Sequence, residues 1–151
     1  MLPGAMSSNT RPLRLRPARQ DDHAALEELQ RRASMALPEY REQLAANPDA
    51  IHLPPAQIAA GQVIVGELGG RVAGFAAVVD GELDGLFVEP DLWGLGIGRA
   101  LADAATHHAR RQGLSLWVVA NPGARGFYEK CGFSMEGDAE TRFGPALKMS
   151  R

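Results

Sequence analysis

Cysteine, charge imbalance and long apolar runs are all scarce in this sequence of 151 residues. Because Cys131 is its only cysteine, the chain cannot form a disulfide within itself. A low cysteine content is typical of proteins in a reducing compartment. No apolar run approaches the ~20 residues that a membrane-spanning helix requires. The formal net charge of −2 gives no electrostatic support for nucleic-acid binding. We therefore expect a cytoplasmic protein that binds neither membrane nor nucleic acid.

Convincing metal-ligand spacings and the long apolar core of a signal peptide are also features that this sequence lacks. No pair of histidine, cysteine or acidic residues has a convincing ligand spacing, so we predict no metal site. Residues 1–10 are small and polar, without the apolar core of a signal peptide, and we expect a loose tail there. The remaining length is enough for one domain with a sizeable core. We predict a single domain over residues 11–151.

Apolar periodicity predicts strands and helices along the whole chain. In the middle, β-branched and apolar residues separated by the hairpin dipeptides Gly69-Gly70 and Asp80-Gly81 predict three consecutive strands. Apolar residues at helical spacing predict helices before and after these strands. The order predicts an α/β fold with a mixed sheet of about seven strands. The predicted strands cover residues 13–17, 62–68, 71–79, 82–88, 114–120, 133–137 and 143–149.

Residues 86–105 combine an apolar strand end, three alternating glycines and an apolar pattern at helical spacing. Pro90 ends the strand because proline has no N–H for the ladder. Gly94, Gly96 and Gly98 permit positive φ and the close approach of a ligand. Unpaired N–H groups and partial positive charge at the start of the following helix favour an anion, most often phosphate. A tight glycine turn without a ligand is the alternative interpretation.

Two motifs in this sequence resemble those of one known family. Val88-Glu-Pro-Asp-Leu-Trp-Gly-Leu-Gly-Ile-Gly-Arg-Ala-Leu resembles the acetyl-CoA loop of the GNAT superfamily of N-acetyltransferases, whose amides hold the CoA pyrophosphate. That family has Arg or Gln before the first glycine pair, and Trp93 stands there in this chain. Asn121-Pro-Gly-Ala-Arg-Gly-Phe-Tyr-Glu-Lys-Cys-Gly-Phe resembles its second CoA segment. The resemblance covers residues 62–149 well and the N-terminal third only in layout.

The resemblance implies a GNAT-like fold and an acetyl-CoA-dependent reaction. The fold is a mixed, mostly antiparallel sheet of about seven strands, with helices on both faces and with strands four and five splayed. The reaction is direct attack on acetyl-CoA by a primary amine of a small molecule or peptide in a ternary complex. A homodimer is also implied. The implied cofactor-binding residues are Leu86, Phe87, Val88, Trp93, Gly94, Leu95, Gly96, Ile97, Gly98, Arg99, Ala100, Asn121, Phe127 and Tyr128.

Tyr128 corresponds to the family's tyrosine that donates a proton to the CoA sulfur. A phenol with a pKa near 10 is protonated at neutral pH, so it can act as an acid toward the leaving thiolate. The alternative is a core tyrosine that packs beside Phe127 in a short helix. Asn121 would bond backbone or pantetheine groups where the strands part, or cap the turn that follows.

Glu82 and Asp84 are the candidates for the general base, with Glu82 ranked first. Both have the same strand parity as Leu86 and Val88, so they share a face with the cofactor-facing positions if the strand has no bulge. Burial would raise either pKa toward a useful range. The alternative is that both are solvated residues next to the Asp80-Gly81 hairpin.

Two other functions are consistent with these residues. One is a CoA- or acyl-CoA-binding module or sensor without transferase activity, which would keep the glycine loop and lack a working base. The other is a generic phosphate-binding α/β domain. Acceptor specificity is expected from residues 34–61 and the last hairpin. Tyr40, Trp93 and Trp117 are candidates for pocket walls or dimer contacts, with core packing as the default.

Overall fold

A seven-stranded sheet runs through the part of the chain that the computed structural model describes, residues 12–151. Its strand order is β1-β2-β3-β4-β5-β7-β6, and every neighbouring pair is antiparallel except β4 with β5. This confirms the predicted mixed, mostly antiparallel sheet. The tail predicted over residues 1–10 lies outside the described residues. The strands are β1 Leu13–Pro17, β2 Val63–Leu68, β3 Arg71–Val79, β4 Glu82–Val88, β5 Trp117–Ala120, β6 Ser134–Thr141 and β7 Gly144–Ser150.

Helices cover both faces of this sheet. Leu26 and Leu29 of α1 and Ile58 of α3 pack on one face, against Val63 and Phe75 among others. The apolar stripe of α4, together with α5, packs on the opposite face. None of the described helices has the length and apolar character needed to cross a membrane. The helices are α1 His23–Met35, α2 Pro38–Ala46, α3 Pro55–Ala59, α4 Ile97–Arg111 and α5 Arg125–Lys130.

The two central hairpins form at the predicted dipeptides. Gly69 and Gly70 have φ of 60° and 81°, and Asp80 and Gly81 have φ of 51° and 84°. Positive φ at both central residues is the requirement of a type I′ turn, whose twist matches that of the flanking strands. These turns join β2 to β3 and β3 to β4, and so deliver β4 to the middle of the sheet.

β4 and β5 are neighbours that separate almost at once. Their ladder contains one registered pair, Glu82 with Trp117, although β4 continues to Val88 and β5 to Ala120. On its other side β5 pairs with β7 along its whole length. The splay implied by the resemblance is therefore present, and it opens the sheet where β4 meets the glycine loop.

The predicted start of β5 at residue 114 is wrong by three residues. Gly113, with φ of 75°, turns the chain after α4, and the N–H of Leu114 donates to the carbonyl of Ala109 at 3.0 Å. Leu116 is fully buried, so its apolar character reflects core packing before the ladder begins. Continuous apolar sequence does not distinguish a strand from the packed turn that leads into it.

Candidate active site

A cavity of about 590 Å³ opens at the end of β4. The glycine loop forms one wall, α5 forms another, and the end of α1 with the start of α2 forms a third. Its lining is mostly apolar, with Arg99 and Lys130 as its cationic side chains. The cavity therefore lies where the splayed strands and the predicted anion site meet.

The glycine loop presents backbone rather than side chains to this cavity. Gly94 and Gly96 both have φ of 85°, a left-handed conformation that side-chain-bearing residues adopt only at a cost. A Cβ at either position would meet nothing within 4 Å, so the space in front of them is open. Gly96 is the N-cap of α4 and no side chain caps that helix. The first N–H groups of α4 consequently remain available to an anion.

Gly98 lets α4 and α5 approach each other closely. A Cβ at this position would lie 3.1 Å from Phe127 Cζ and 3.7 Å from Val88 Cγ2. Phe127 thus covers the first turn of α4 from the side of α5. The third glycine serves packing between the cavity walls, in contrast to the two that face open space.

Trp93 makes a hydrogen bond to the backbone of β4. Its indole Nε1 donates to the Val88 carbonyl at 2.9 Å, while 47% of the residue stays exposed. The bond fastens the loop to the strand end from which it leaves. Trp93 therefore supplies an anchor at a place where the resembled family has a cationic or amide side chain.

Tyr128 lies in an aromatic cluster at the cavity wall. Its ring packs edge to face against Phe127, at 5.1 Å between centroids, and against Phe133, at 5.2 Å. Burial raises the pKa of the phenol well above its ordinary value, and the neighbouring Cys131 thiol adds to the effect. Ring packing thus fixes the Tyr128 side chain in the cavity wall, and its phenol is protonated at neutral pH.

A β-bulge changes the expected orientation of the acidic residues in β4. Ala77 pairs with Gly85 and Val78 with Leu83, which leaves Asp84 as an extra residue without a partner. Leu83, rather than Glu82, consequently shares the core face of Leu86 and Val88. The bulge therefore breaks the regular alternation of side chains along β4, and the prediction that Glu82 shares a face with Leu86 and Val88 is wrong.

Glu82 and Asp84 do not line the cavity. Asp84 accepts a hydrogen bond from Gln57 Nε2 of α3 at 3.2 Å. Glu82 lies beside Trp117 at the start of the splay, and burial together with the Asp84 charge raises its carboxyl pKa. Three residues, one of them the bulged Asp84, separate Glu82 from Leu86, a span of at most about 13 Å.

Asn121 caps the turn after β5. Its Oδ1 accepts a hydrogen bond from the Gly123 N–H at 3.3 Å, and its Nδ2 lies 3.5 Å from Glu39 Oε1 of α2. The side chain is outside the cavity lining. This geometry agrees with the interpretation of Asn121 as a cap. The second contact joins the residue after β5 to α2.

The structure brings most of the predicted cofactor residues to one cavity. Leu95, which is 64% exposed, Ala100 and Asn121 are outside its lining. The predicted residues that line it are Leu86, Phe87, Val88, Trp93, Gly94, Gly96, Ile97, Gly98, Arg99, Phe127 and Tyr128. The lining residues outside the prediction are Ala33, Ser34, Leu37, Tyr40, Leu92, Ala124, Lys130 and Cys131.

The added wall from α1 and α2 had a partial signal in the sequence. In the sequence, Ala33 and Leu37 continue the helical spacing of Leu26 and Leu29, which by itself indicates only a buried face. In the structure α1 ends at Met35, and Leu37 is the N-cap of α2. Tyr40 is one of the aromatic residues considered for a pocket wall, and it lines the cavity. Nothing local in the sequence indicates that this stripe faces the glycine loop, because the contact joins segments about 60 residues apart. Among the described residues no cluster of histidine, cysteine and acidic side chains is arranged to hold a metal ion.

Comparison with known proteins agrees with the fold and the motifs. The model of the acetyltransferase (GNAT) family matches residues 21–133, so the chain belongs to that family. An uncharacterized N-acetyltransferase of Methanocaldococcus jannaschii is 45% identical over 56 residues, which is 34% of this chain and 25% of that protein. Peptidyl-lysine N-acetyltransferase YjaB of Salmonella typhimurium is 40% identical over 68 residues, 44% of this chain and 46% of YjaB. The matched part spans less than half the length of these curated relatives.

Solved structures extend the agreement over nearly the whole chain. A GCN5-related N-acetyltransferase of Rhodopseudomonas palustris is 25% identical with a TM-score of 0.73, covering 91% of this chain and 94% of its own. PaiA N-acetyltransferase of Thermoplasma acidophilum, in complex with coenzyme A, is 19% identical with a TM-score of 0.72, covering 93% and 99%. At that identity the second likeness concerns the fold alone.

Proposed function

We propose that this protein is an acetyl-CoA-dependent N-acetyltransferase that moves the acetyl group to a primary amine of a small molecule or peptide. One observation carries the proposal: the uncapped start of α4, the end of β4 and the Tyr128 side chain line the same cavity, where β4 and β5 part. Family membership supports it, as do a fold neighbour solved with coenzyme A and a relative named for peptidyl-lysine acetylation.

Acetyl-CoA would lie along the open edge of β4 with its pyrophosphate at the glycine loop. The unpaired N–H groups at the start of α4 and the helix dipole attract phosphate oxygens. Arg99 and Lys130 add positive charge to the same cavity. The pantetheine would then follow the strand end over Leu86–Val88, which pairs with β3 but has no ladder on its β5 side.

The transfer step needs a neutral amine and a donor for the departing sulfur. The amine nitrogen attacks the thioester carbon, and the carbon–sulfur bond breaks as the tetrahedral intermediate collapses. Tyr128 gives its phenolic proton to the thiolate, the proton released by the amine passes through water to the Glu82 carboxylate, and exchange with solvent restores both groups. Because burial raises its pKa, Tyr128 stays a donor across the physiological pH range.

The acceptor would enter opposite the glycine loop, between α2 and the β6–β7 hairpin. Tyr40 of α2 packs edge to face with Phe143 of that hairpin, with 6.5 Å between ring centroids. Ser34 and Leu37 line the cavity on the same side. These contacts support the prediction that residues 34–61 and the last hairpin set acceptor specificity.

A cytoplasmic location and a homodimer stay predictions. Light scattering at micromolar concentration tests the homodimer.

Two measurements test this function against its alternatives. Isothermal titration with CoA, acetyl-CoA and ATP should show binding of both CoA species and none of ATP, whereas a generic phosphate-binding domain would also bind ATP. Incubation of acetyl-CoA with a panel of amines should release free thiol for at least one acceptor. CoA binding without thiol release across small-molecule, lysine-peptide and free α-amine acceptors would instead support a binding module.

Glu82 is the proposed general base, acting through water because it lies outside the cavity lining. Its raised pKa means that the carboxylate form, the one that accepts a proton, is lost as pH falls through that raised value. We expect Glu82→Gln to lower turnover about 100-fold at pH values above the pKa of Glu82, the low end for general base catalysis, and to abolish that inflection in the pH–rate profile. The wild-type rate is divided by the variant rate at each pH. The titration of the amine substrate affects both rates equally and therefore cancels.

Asp84→Asn is the matched control, because it neutralises the neighbouring carboxylate, which contacts Gln57 instead. It should keep the wild-type profile apart from a lower inflection, since the Asp84 charge contributes to the raised pKa of Glu82. Glu82→Gln should keep or raise the melting temperature near neutral pH, because a carboxyl with a raised folded-state pKa disfavours the folded state there. An unchanged profile in Glu82→Gln would leave solvent as the base.

A further inference from the structure

Four charged residues form an ion-pair cluster that joins α1 to the start of the glycine loop. Arg32 of α1 donates from Nε and Nη2 to the two carboxylate oxygens of Glu89, at 3.0 and 2.8 Å. Arg71 of β3 binds Asp91 in the same two-bond manner, at 3.0 and 2.8 Å. Arg71 Nη2 also lies 3.9 Å from Glu89 Oε2. Glu89 is thus the centre of the cluster.

Glu89 is held rigidly and has few ways to satisfy its charge. The residue is 8% exposed, whereas the Arg32 side chain is 53% exposed. Its N–H donates to the Ala73 carbonyl at 2.9 Å, and its own carbonyl accepts from the Leu92 N–H at 2.9 Å. A nearly buried carboxylate with a fixed backbone needs a cation in one place, and Arg32 supplies it with two charge-assisted bonds.

The pair connects two walls of the candidate active site. Arg32 directly precedes Ala33 and Ser34, which line the cavity from α1. Glu89 directly follows Val88 and begins the turn that carries Leu92 and Trp93 to the glycine loop. The two bonds between Arg32 and Glu89 consequently join the α1 wall to the turn that leads into the glycine loop.

We propose that Glu89 is a positioning residue for acetyl transfer, which holds the α1 wall against the cofactor loop through Arg32. This inference rests on the proposed function for its catalytic meaning. The pair touches no reacting atom; it sets the width of the cleft into which the thioester arm fits. Loss of the pair should therefore weaken cofactor binding more than it slows the chemical step.

A double-mutant cycle of Arg32→Gln and Glu89→Gln tests the inference. Each single variant should raise KM for acetyl-CoA about tenfold, equivalent to ~1.4 kcal/mol, with kcat within about threefold of wild type. The double variant should resemble either single one, because both changes remove the same contact. Arg31→Gln is the matched control, since it removes the same charge one position away, from a residue that pairs with Glu28 at 3.8 Å. It should leave KM unchanged.

Additive effects, or an equal rise in KM for Arg31→Gln, would overturn the inference in favour of a general charge effect. A uniform fall in kcat with no change in KM would overturn it in favour of a different role. The cycle is also run on CoA affinity by titration, which needs no turnover. Coupled losses of CoA affinity in a protein that acetylates no amine would reject the proposed function and keep the role of Glu89 in shaping the cofactor site.

Discussion

Replacing Tyr128 by phenylalanine should lower turnover about 100-fold and leave acetyl-CoA affinity nearly unchanged. The substitution removes the proton donor and keeps the ring that packs between Phe127 and Phe133. General acid catalysis typically raises a rate by ~10²–10⁴-fold. Because a thiolate is a good leaving group, we expect the low end of that range for Tyr128. The loss should appear in kcat rather than in affinity, because the proton is needed only as the thiolate departs.

The pH dependence sharpens this prediction. Since burial raises the pKa of Tyr128, its proton is present throughout the working range, and the ratio of wild-type to variant rates should be constant with pH. Tyr40→Phe is the natural control, because Tyr40 is the other tyrosine of the chain and lines the opposite wall of the same cavity. It should keep most of the turnover. Full activity in Tyr128→Phe, with a normal melt, would leave water as the donor.

Gly96→Val should weaken CoA binding at least tenfold, a loss of ~1.4 kcal/mol. The valine side chain would project into the open space in front of the loop, where the pyrophosphate is proposed to bind. It would also strain a backbone with φ of 85°, a cost of about 1–3 kcal/mol. Affinity is measured by isothermal titration on protein shown to be folded.

Gly113→Val separates the two effects of that substitution. Gly113 follows the other end of α4, has φ of 75°, and a Cβ there would also meet nothing within 4 Å. Both variants should therefore lose similar stability in a thermal melt. Only Gly96→Val should lose CoA affinity. Equal affinities in the two folded variants would reject the assignment of a phosphate-binding loop.

The elements around the cofactor loop could be predicted because their signals are local. Gly69-Gly70 and Asp80-Gly81 specify hairpins by their need for positive φ, and Gly94 and Gly96 mark the loop before α4 for the same reason. The order of strands then places β4 beside the loop. Backbone requirements of this kind are readable from single residues.

The features that escaped prediction depend on contacts between distant segments. The bulge at Asp84 is visible only in the pairing of β4 with β3, and it moved Glu82 off the expected face. The bond from Arg32 to Glu89 crosses 57 positions, and Arg32 belongs to neither of the two motifs. A charged residue on a helix is most often solvated, so the sequence offered no reason to pair these two.

The most direct test of the proposed reaction follows a labelled acetyl group from acetyl-CoA after rapid mixing and acid quenching, with and without an accepted amine. Intact-protein and product masses are measured at each time. Direct attack in a ternary complex predicts label on the amine nitrogen alone, with no acetylated protein at any time. Label on the protein before the amine is added, on Cys131 at the cavity wall for example, would contradict direct transfer, and label on neither would contradict the enzyme itself.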